Sequence, residues 1–164
     1  MNDLEQRLAA LEARVERLEP SRAGTRGATG GELWALEELH RRIGGADGAV
    51  LFTGTVPLPG GARAEWQSGV PTDAILASDW ADAVAPLDAL AHRVRLALLR
   101  EVLDGTTAAA ELQERAGLGT TGQLYHHLRQ LVSAGWLRQT TRGHYSVPPE
   151  RVVPLLVVLA AARP

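Results

Sequence analysis

Three runs of apolar residues at helical spacing, set close together between Leu87 and Trp136, constrain this chain more than any other feature. Leu87, Leu90, Ala91, Val94, Leu98 and Val102 follow the i, i+3, i+4, i+7 rule, and Asp104-Gly105 closes that helix. Thr107 offers a hydroxyl to cap a second helix, in which Ala109, Leu112 and Ala116 face inward until Gly117. Only Leu118-Gly119-Thr120-Thr121 leads from there into a third, "TTGQLYHHLRQLVSAGW", Thr120 to Trp136. The order is helix, helix, tight turn, helix.

In the third helix Leu124, Leu128 and Leu131 share one face, and His127 turns inward with them as a structural residue expected to be hydrogen-bonded beside the core. Thr121, Gly122, Gln123, His126, Arg129, Gln130 and Ser133 occupy the opposite face. That face is small and polar at its start and rich in hydrogen-bonding groups after it. It suits a DNA major groove, where a bulky start would block approach to the base edges, and a helix N-terminus favours phosphate. Beyond Ala134-Gly135, Trp136 to Gln139 and His144 to Val147 read as two strands around a turn at Thr140 to Gly143. A hairpin in this position is a wing, with Arg142 at its tip to meet phosphate or the minor groove.

The segments "LAHRVRLALLREVLDG", "AAELQERAGL", "TTGQLYHHLRQLVSAGWL" and "TTRGHYSV" resemble the winged helix-turn-helix domain of ArsR-like transcriptional regulators, in particular a sensor-less bacterial group with a hairpin before the winged helix. The resemblance covers roughly residues 87 to 160. It rests on His127-Leu128, Leu131 and Ala134-Gly135, and on Arg142-Gly143 with Tyr145 in the wing. It implies base-reading positions at Thr121, Gly122, Gln123, Tyr125 and His126, with backbone contacts from Arg129 and the wing. Thr120 at the helix start, and Arg138 and His144 beside Arg142 on the wing, complete the implied DNA-facing set. Metal-sensing members use cysteines, or acid and His ligands on the last helix. This chain has no Cys, and no His in "ERVVPLLVVLAAARP", so no metal is expected.

Other chemistry finds little support. Without cysteine there are no disulfides, thiolate zinc sites, iron–sulfur clusters or thiol catalysis. Adjacent His126 and His127 point about 100° apart on a helix and cannot share a metal as an i, i+4 pair does. No Ser occupies a nucleophile elbow and no Gly-rich loop follows a strand, while Asp73, Asp79 and Asp82 read as a solvated face. Neither an enzyme nor a cofactor is expected. The net charge of −2 conceals an asymmetry: residues 31 to 87 hold three Arg against eight acids, and residues 88 to 151 hold eight Arg against six. The basic part is the one with the helical triplet. Every fixed cation is Arg, which reads as coding bias rather than function.

Leu4, Leu8, Leu11, Val15 and Leu18 form a heptad seam under three heptads long, stopped at Pro20. It reads either as a short oligomerising coiled coil or as a helix lying on its own domain. Residues 21–31 read as a flexible linker. In residues 32–84, Leu33, Leu36, Leu39 and Ile43 mark a helix whose apolar face needs a partner, ending at Gly44-Gly45. A β-hairpin follows: Gly48 to Val56, a turn at Pro57 to Gly61, then Ala62 to Ser68 with Ala62, Ala64, Trp66 and Ser68 alternating against Arg63, Glu65 and Gln67. It must pack on a helix or pair with a second copy. Trp34, Trp66 and Trp80 read as core, or as walls of a small-molecule pocket.

The last apolar segment, Val152 to Ala162, contains Pro154 and falls short of the roughly 20 residues of a membrane span. Apolar nearly all round, it has to be buried. Leu155, Leu156, Val158 and Leu159 are expected either at a two-fold subunit boundary or over the hairpin of their own chain. The charged start, Met1-Asn2-Asp3-Leu4-Glu5-Gln6, carries no apolar leader pattern, so a cytoplasmic location is expected.

The fold class expected is mainly α with small β (α+β): a winged helix-turn-helix over 85–164, preceded by a helix and β-hairpin and a short N-terminal coiled-coil helix. The function expected is sequence-specific binding of double-stranded DNA as a homodimer in transcription regulation. Two other readings stand beside it, a protein-interaction module and a small-molecule-gated regulator with a pocket between the hairpin and the helices. A steep salt dependence of DNA binding separates the first reading from the second.

Overall fold

In the computed structural model, residues 33–43, 48–117 and 120–163 are described. The heptad seam of Leu4, Leu8, Leu11, Val15 and Leu18, the linker and the turn residues Leu118-Gly119 lie outside them. The described part is mixed α+β, with seven α-helices and two small antiparallel hairpins. Helix α1 spans Trp34–Ile43, and no residue of it is buried. Residues 39–164 pack as one compact unit, the first hairpin included.

Strands β1 (Ala49–Pro57) and β2 (Arg63–Pro71) pair in continuous register from Ala49↔Pro71 to Pro57↔Arg63. A short 3₁₀ turn, Pro59–Gly61, joins them. Gly60 and Gly61 have φ of 77° and 81°, the left-handed region in which a Cβ is strained, so the turn needs glycine there. The inner face carries Gly54, Val56 and the buried Ala64. It packs on the last helix, α7 (Pro149–Ala161). A Cβ on Gly54 would lie 2.8 Å from Val153 Cγ1, so strand and helix meet at the closest approach a missing side chain permits.

Between the hairpin and the helical core run α2 (Thr72–Ala77), a 3₁₀ turn at Trp80–Ala83 and α3 (Val84–Leu90). Asp73, Asp79 and Asp82 are all exposed here, and the Asp79 carboxylate accepts the Ala81 N–H at 2.9 Å, capping the turn. The tryptophans differ from expectation. Trp34 is 65% exposed, Trp80 63% and Trp66 40%, so none of the three is buried in a core.

A single helix from Leu87 to Val102 is also not what forms. The chain breaks at Ala91-His92, and α4 (Arg93–Leu103) starts afresh with the His92 ring as cap, its Nδ1 accepting the Val94 N–H at 3.2 Å. Leu87 stays half exposed as a result. Helix α5 (Ala109–Arg115) follows, then α6 (Thr121–Ser133), strands β3 (Arg138–Thr141) and β4 (His144–Ser146), and α7. The core they share includes Leu98, Leu99, Leu112, Leu124, Leu128, Leu131 and Leu137, each at most 2% exposed. Leu155 is fully buried in that same core, and Leu156, Val158 and Leu159 pack against it. Of the two expectations for this segment, the structure shows the packing of α7 over the hairpin of its own chain.

Candidate nucleic-acid interface

Helix α6 is built to show one face. Thr120 caps its start, Oγ1 accepting the Gln123 N–H at 3.3 Å, which satisfies one of the free donors of the first turn. Leu124, Leu128 and Leu131 lock the inner face into the core. Thr121, Gly122, Gln123, Tyr125, His126 and Arg129 are left exposed together. Nothing lies within 4 Å of where a Gly122 Cβ would stand, so the start of the helix is open to a large partner. The Arg129 Nε donates to the Tyr125 carbonyl at 3.2 Å along the helix, which leaves the rest of the guanidinium directed along this surface.

Gln130, placed on the same face by helical spacing, belongs elsewhere. Its Oε1 accepts from Arg95 NH1 at 2.6 Å. Arg95 is buried at 6% exposure and also donates to the Ala89 carbonyl through Nε and to the Asp88 carbonyl through NH2, each at 2.6 Å. One guanidinium thus satisfies two carbonyls at the end of α3 and fastens α6 to them. The planar fork of arginine fits such a junction as lysine would not. The sequence held a signal for this: Arg95 stands with Leu98, Leu99 and Val102 at i, i+3, i+4, i+7, on the buried face of α4.

His127 turns inward as expected, but its Nδ1 is buried and makes no hydrogen bond. Its ring instead lies 4.7 Å from that of His92, with His126 edge-on at 5.6 Å. Burial, reinforced by the nearby His92, His126 and Arg95, lowers its pKa below the usual histidine range. It serves as a neutral packing group between α4 and α6.

The wing is tied to the start of α5 through main-chain atoms. The Ala109 N–H donates to the Gly143 carbonyl at 2.8 Å, and the Tyr145 N–H to the Thr107 carbonyl at 2.9 Å. These bonds, rather than the Thr107 hydroxyl, prepare α5: its N-cap is Ala108, with no side-chain cap. Arg142 sits exposed in the tip. Arg138 Nε donates to Ser146 Oγ at 3.2 Å across the hairpin, and the His144 Nδ1 lies 3.3 Å from the Arg142 carbonyl. The first strand begins later than expected, at Arg138, because Trp136 is drawn into the core, its Nε1 donating to the Pro86 carbonyl at 2.8 Å beneath the Arg151 guanidinium; the second begins at His144 as expected.

Thr120, Thr121, Gly122, Gln123, Tyr125, His126 and Arg129 are thus gathered on one helix, and Arg138, Arg142 and His144 on an exposed hairpin. A protein-family model described as a helix-turn-helix domain matches residues 90–140, from the end of α3 into β3. No curated protein matches the chain. The match and the order of α4, α5 and α6 support a helix-turn-helix over residues 90–140, an architecture that presents its second helix to DNA. No helix of the described residues is long and apolar enough to cross a membrane.

Proposed function

We propose that this protein is an ArsR-like transcriptional regulator that binds double-stranded DNA as a homodimer. In this reading α6 lies in the major groove, with Thr121, Gly122, Gln123, Tyr125 and His126 against base edges. Thr120, Arg129 and the wing residues Arg138, Arg142 and His144 meet the backbone or minor groove. The observation that carries the reading is the exposed, polar start of α6, where Thr121, Gly122 and Gln123 face outward and no described residue stands within 4 Å of a Gly122 Cβ. The excess of arginine over acids in residues 88 to 151 supports it, because phosphate contacts need fixed positive charge.

A dimer allows two such helices to meet successive grooves about 34 Å apart. The heptad of Leu4, Leu8, Leu11, Val15 and Leu18 is the segment proposed to hold two copies together. No metal or cofactor takes part, and the protein works in the cytoplasm on the nucleoid.

Selection of genomic fragments by the purified protein tests this, followed by titration of the best fragment at two salt concentrations beside Arg129→Ala. An enriched two-fold symmetric motif with a steep salt slope is expected. Weak binding, blind to sequence and salt, would remove the reading and favour a protein partner.

A further inference from the structure

An apolar cleft opens on the side of the molecule formed by α4, α7 and the first hairpin. Its volume is about 480 Å³, within the range of small-molecule sites. Leu99 and Leu155, both buried, form its floor. Val56 and Leu58 from the hairpin, Leu96 and Leu103 from α4, and Leu156 and Leu159 from α7 form half-buried walls. Among the described residues, no aromatic ring and no hydroxyl, amide or imidazole side chain lines it. A molecule seated there would find only aliphatic contact in its depth.

The rim differs in kind. Arg100, Asp104 and Arg163 are the charged residues of the lining, and all three are exposed. Arg100 and Asp104 lie one turn apart on α4, with Nε and Oδ2 3.8 Å apart. Both side chains are more than half exposed, so the pair holds the arginine only weakly and leaves it free to take a better anion. Arg163 follows the C-cap Ala162, just beyond the end of α7. Two cations against one carboxylate give the mouth a net positive charge.

We infer that the cleft between α4, α7 and the first hairpin binds an amphipathic monocarboxylate, its hydrocarbon chain among the leucines and its carboxylate at Arg100 and Arg163. The aliphatic depth selects a chain without internal polar groups, since each would lose its hydrogen bonds to water with nothing in return. The positive rim selects an anionic head over a neutral one, because arginine offers a carboxylate two parallel donors. The volume suits an acyl chain of roughly eight to twelve carbons. This site is distinct from the exposed face of α6, and the inference does not rest on DNA binding.

Calorimetric titration of the full chain with hexanoate, octanoate, decanoate and neutral decanol tests the inference. Saturable one-to-one binding is expected, tightening by roughly two- to fourfold per added methylene, with decanoate bound at least tenfold more tightly than decanol. Arg100→Glu with Arg163→Glu, both at exposed positions, should remove the preference for decanoate while decanol binds as before. Leu156→Trp, checked for folding by circular dichroism, should fill the cleft and abolish both. The absence of saturable binding by the acids, equal affinity for decanoate and decanol, or decanoate binding unchanged in both variants would each overturn it. A cleft filled by a second copy would show as a dimer that Leu156→Trp dissociates without one-to-one acid binding, which also overturns it.

Discussion

Replacing Arg95 with alanine removes the junction that fastens α6 to the end of α3, and its cost follows from where each bond lies. The bond to the Ala89 carbonyl is buried, so losing it strands an acceptor away from water at about 1–3 kcal/mol. The bonds to the Asp88 carbonyl and to Gln130 are half-buried and open to water after the loss, at about 0.5–1.5 kcal/mol each. The Asp88 carboxylate lies 3.9 Å from NH2 with its side chain 76% exposed, and an ion pair so solvated adds almost nothing. The expected destabilisation is about 2–6 kcal/mol, a large share of the roughly 5–15 kcal/mol of an ordinary domain. Equilibrium unfolding in urea, followed by far-ultraviolet circular dichroism, measures it. A cycle with Gln130→Ala isolates the bond between the two side chains, with an expected coupling of about 1–2 kcal/mol. A loss below about 1 kcal/mol for Arg95→Ala, or strict additivity in the cycle, would refute the reasoning.

His127 has a lowered folded pKa, so the unfolded chain takes up its proton more readily. Stability from this group is complete above the ordinary histidine pKa of about 6.5 and falls as pH drops below it toward the folded value; urea midpoints at neutral and mildly acidic pH should converge in His127→Gln relative to the wild type. Gly54→Ala drives a methyl group into Val153 and should cost about 1–3 kcal/mol, most of it recovered in combination with Val153→Ala when thermal unfolding of the four proteins is compared. On DNA, Arg129→Ala and Arg142→Ala should weaken binding to every sequence and flatten the salt slope, whereas Gln123→Ala should change sequence preference, each by about 1–3 kcal/mol. Equal losses on all sequences for the three would contradict their separate roles.

Periodicity made the buried faces of α4, α5 and α6 readable, because a 3.6-residue repeat reports directly which side chains face a core. Leu98, Leu112, Leu124, Leu128 and Leu131 stand where that repeat puts them. The polar face of α6 came with them, as its complement. Spacing did not reveal the break at Ala91-His92, since an apolar stripe can continue across two helices that meet end to end and the capping ring is not a usual cap. Gln130 was misplaced for a related reason: helical geometry gives its direction, but only the neighbouring α4 reveals that Arg95 reaches it. The exposed tryptophans show the limit of reading burial from residue type, since their size favours burial only where a partner surface exists. A pocket near the hairpin was among the readings, but its aliphatic walls were not foreseen, because they come from three segments far apart in the chain.

The two bonds between the wing and the start of α5 run from backbone to backbone, through Ala109 with Gly143 and Tyr145 with Thr107. Peptide groups are common to nearly all residues, so the attachment tolerates exchange of the side chains around it, except at Gly143, whose φ of 76° favours glycine. A lineage of such proteins can rewrite the residues at the hairpin tip while the hairpin keeps its place beside the helices. Geometry and recognition are thereby inherited separately, and new specificities can arise by substitution alone without the supporting frame being rebuilt.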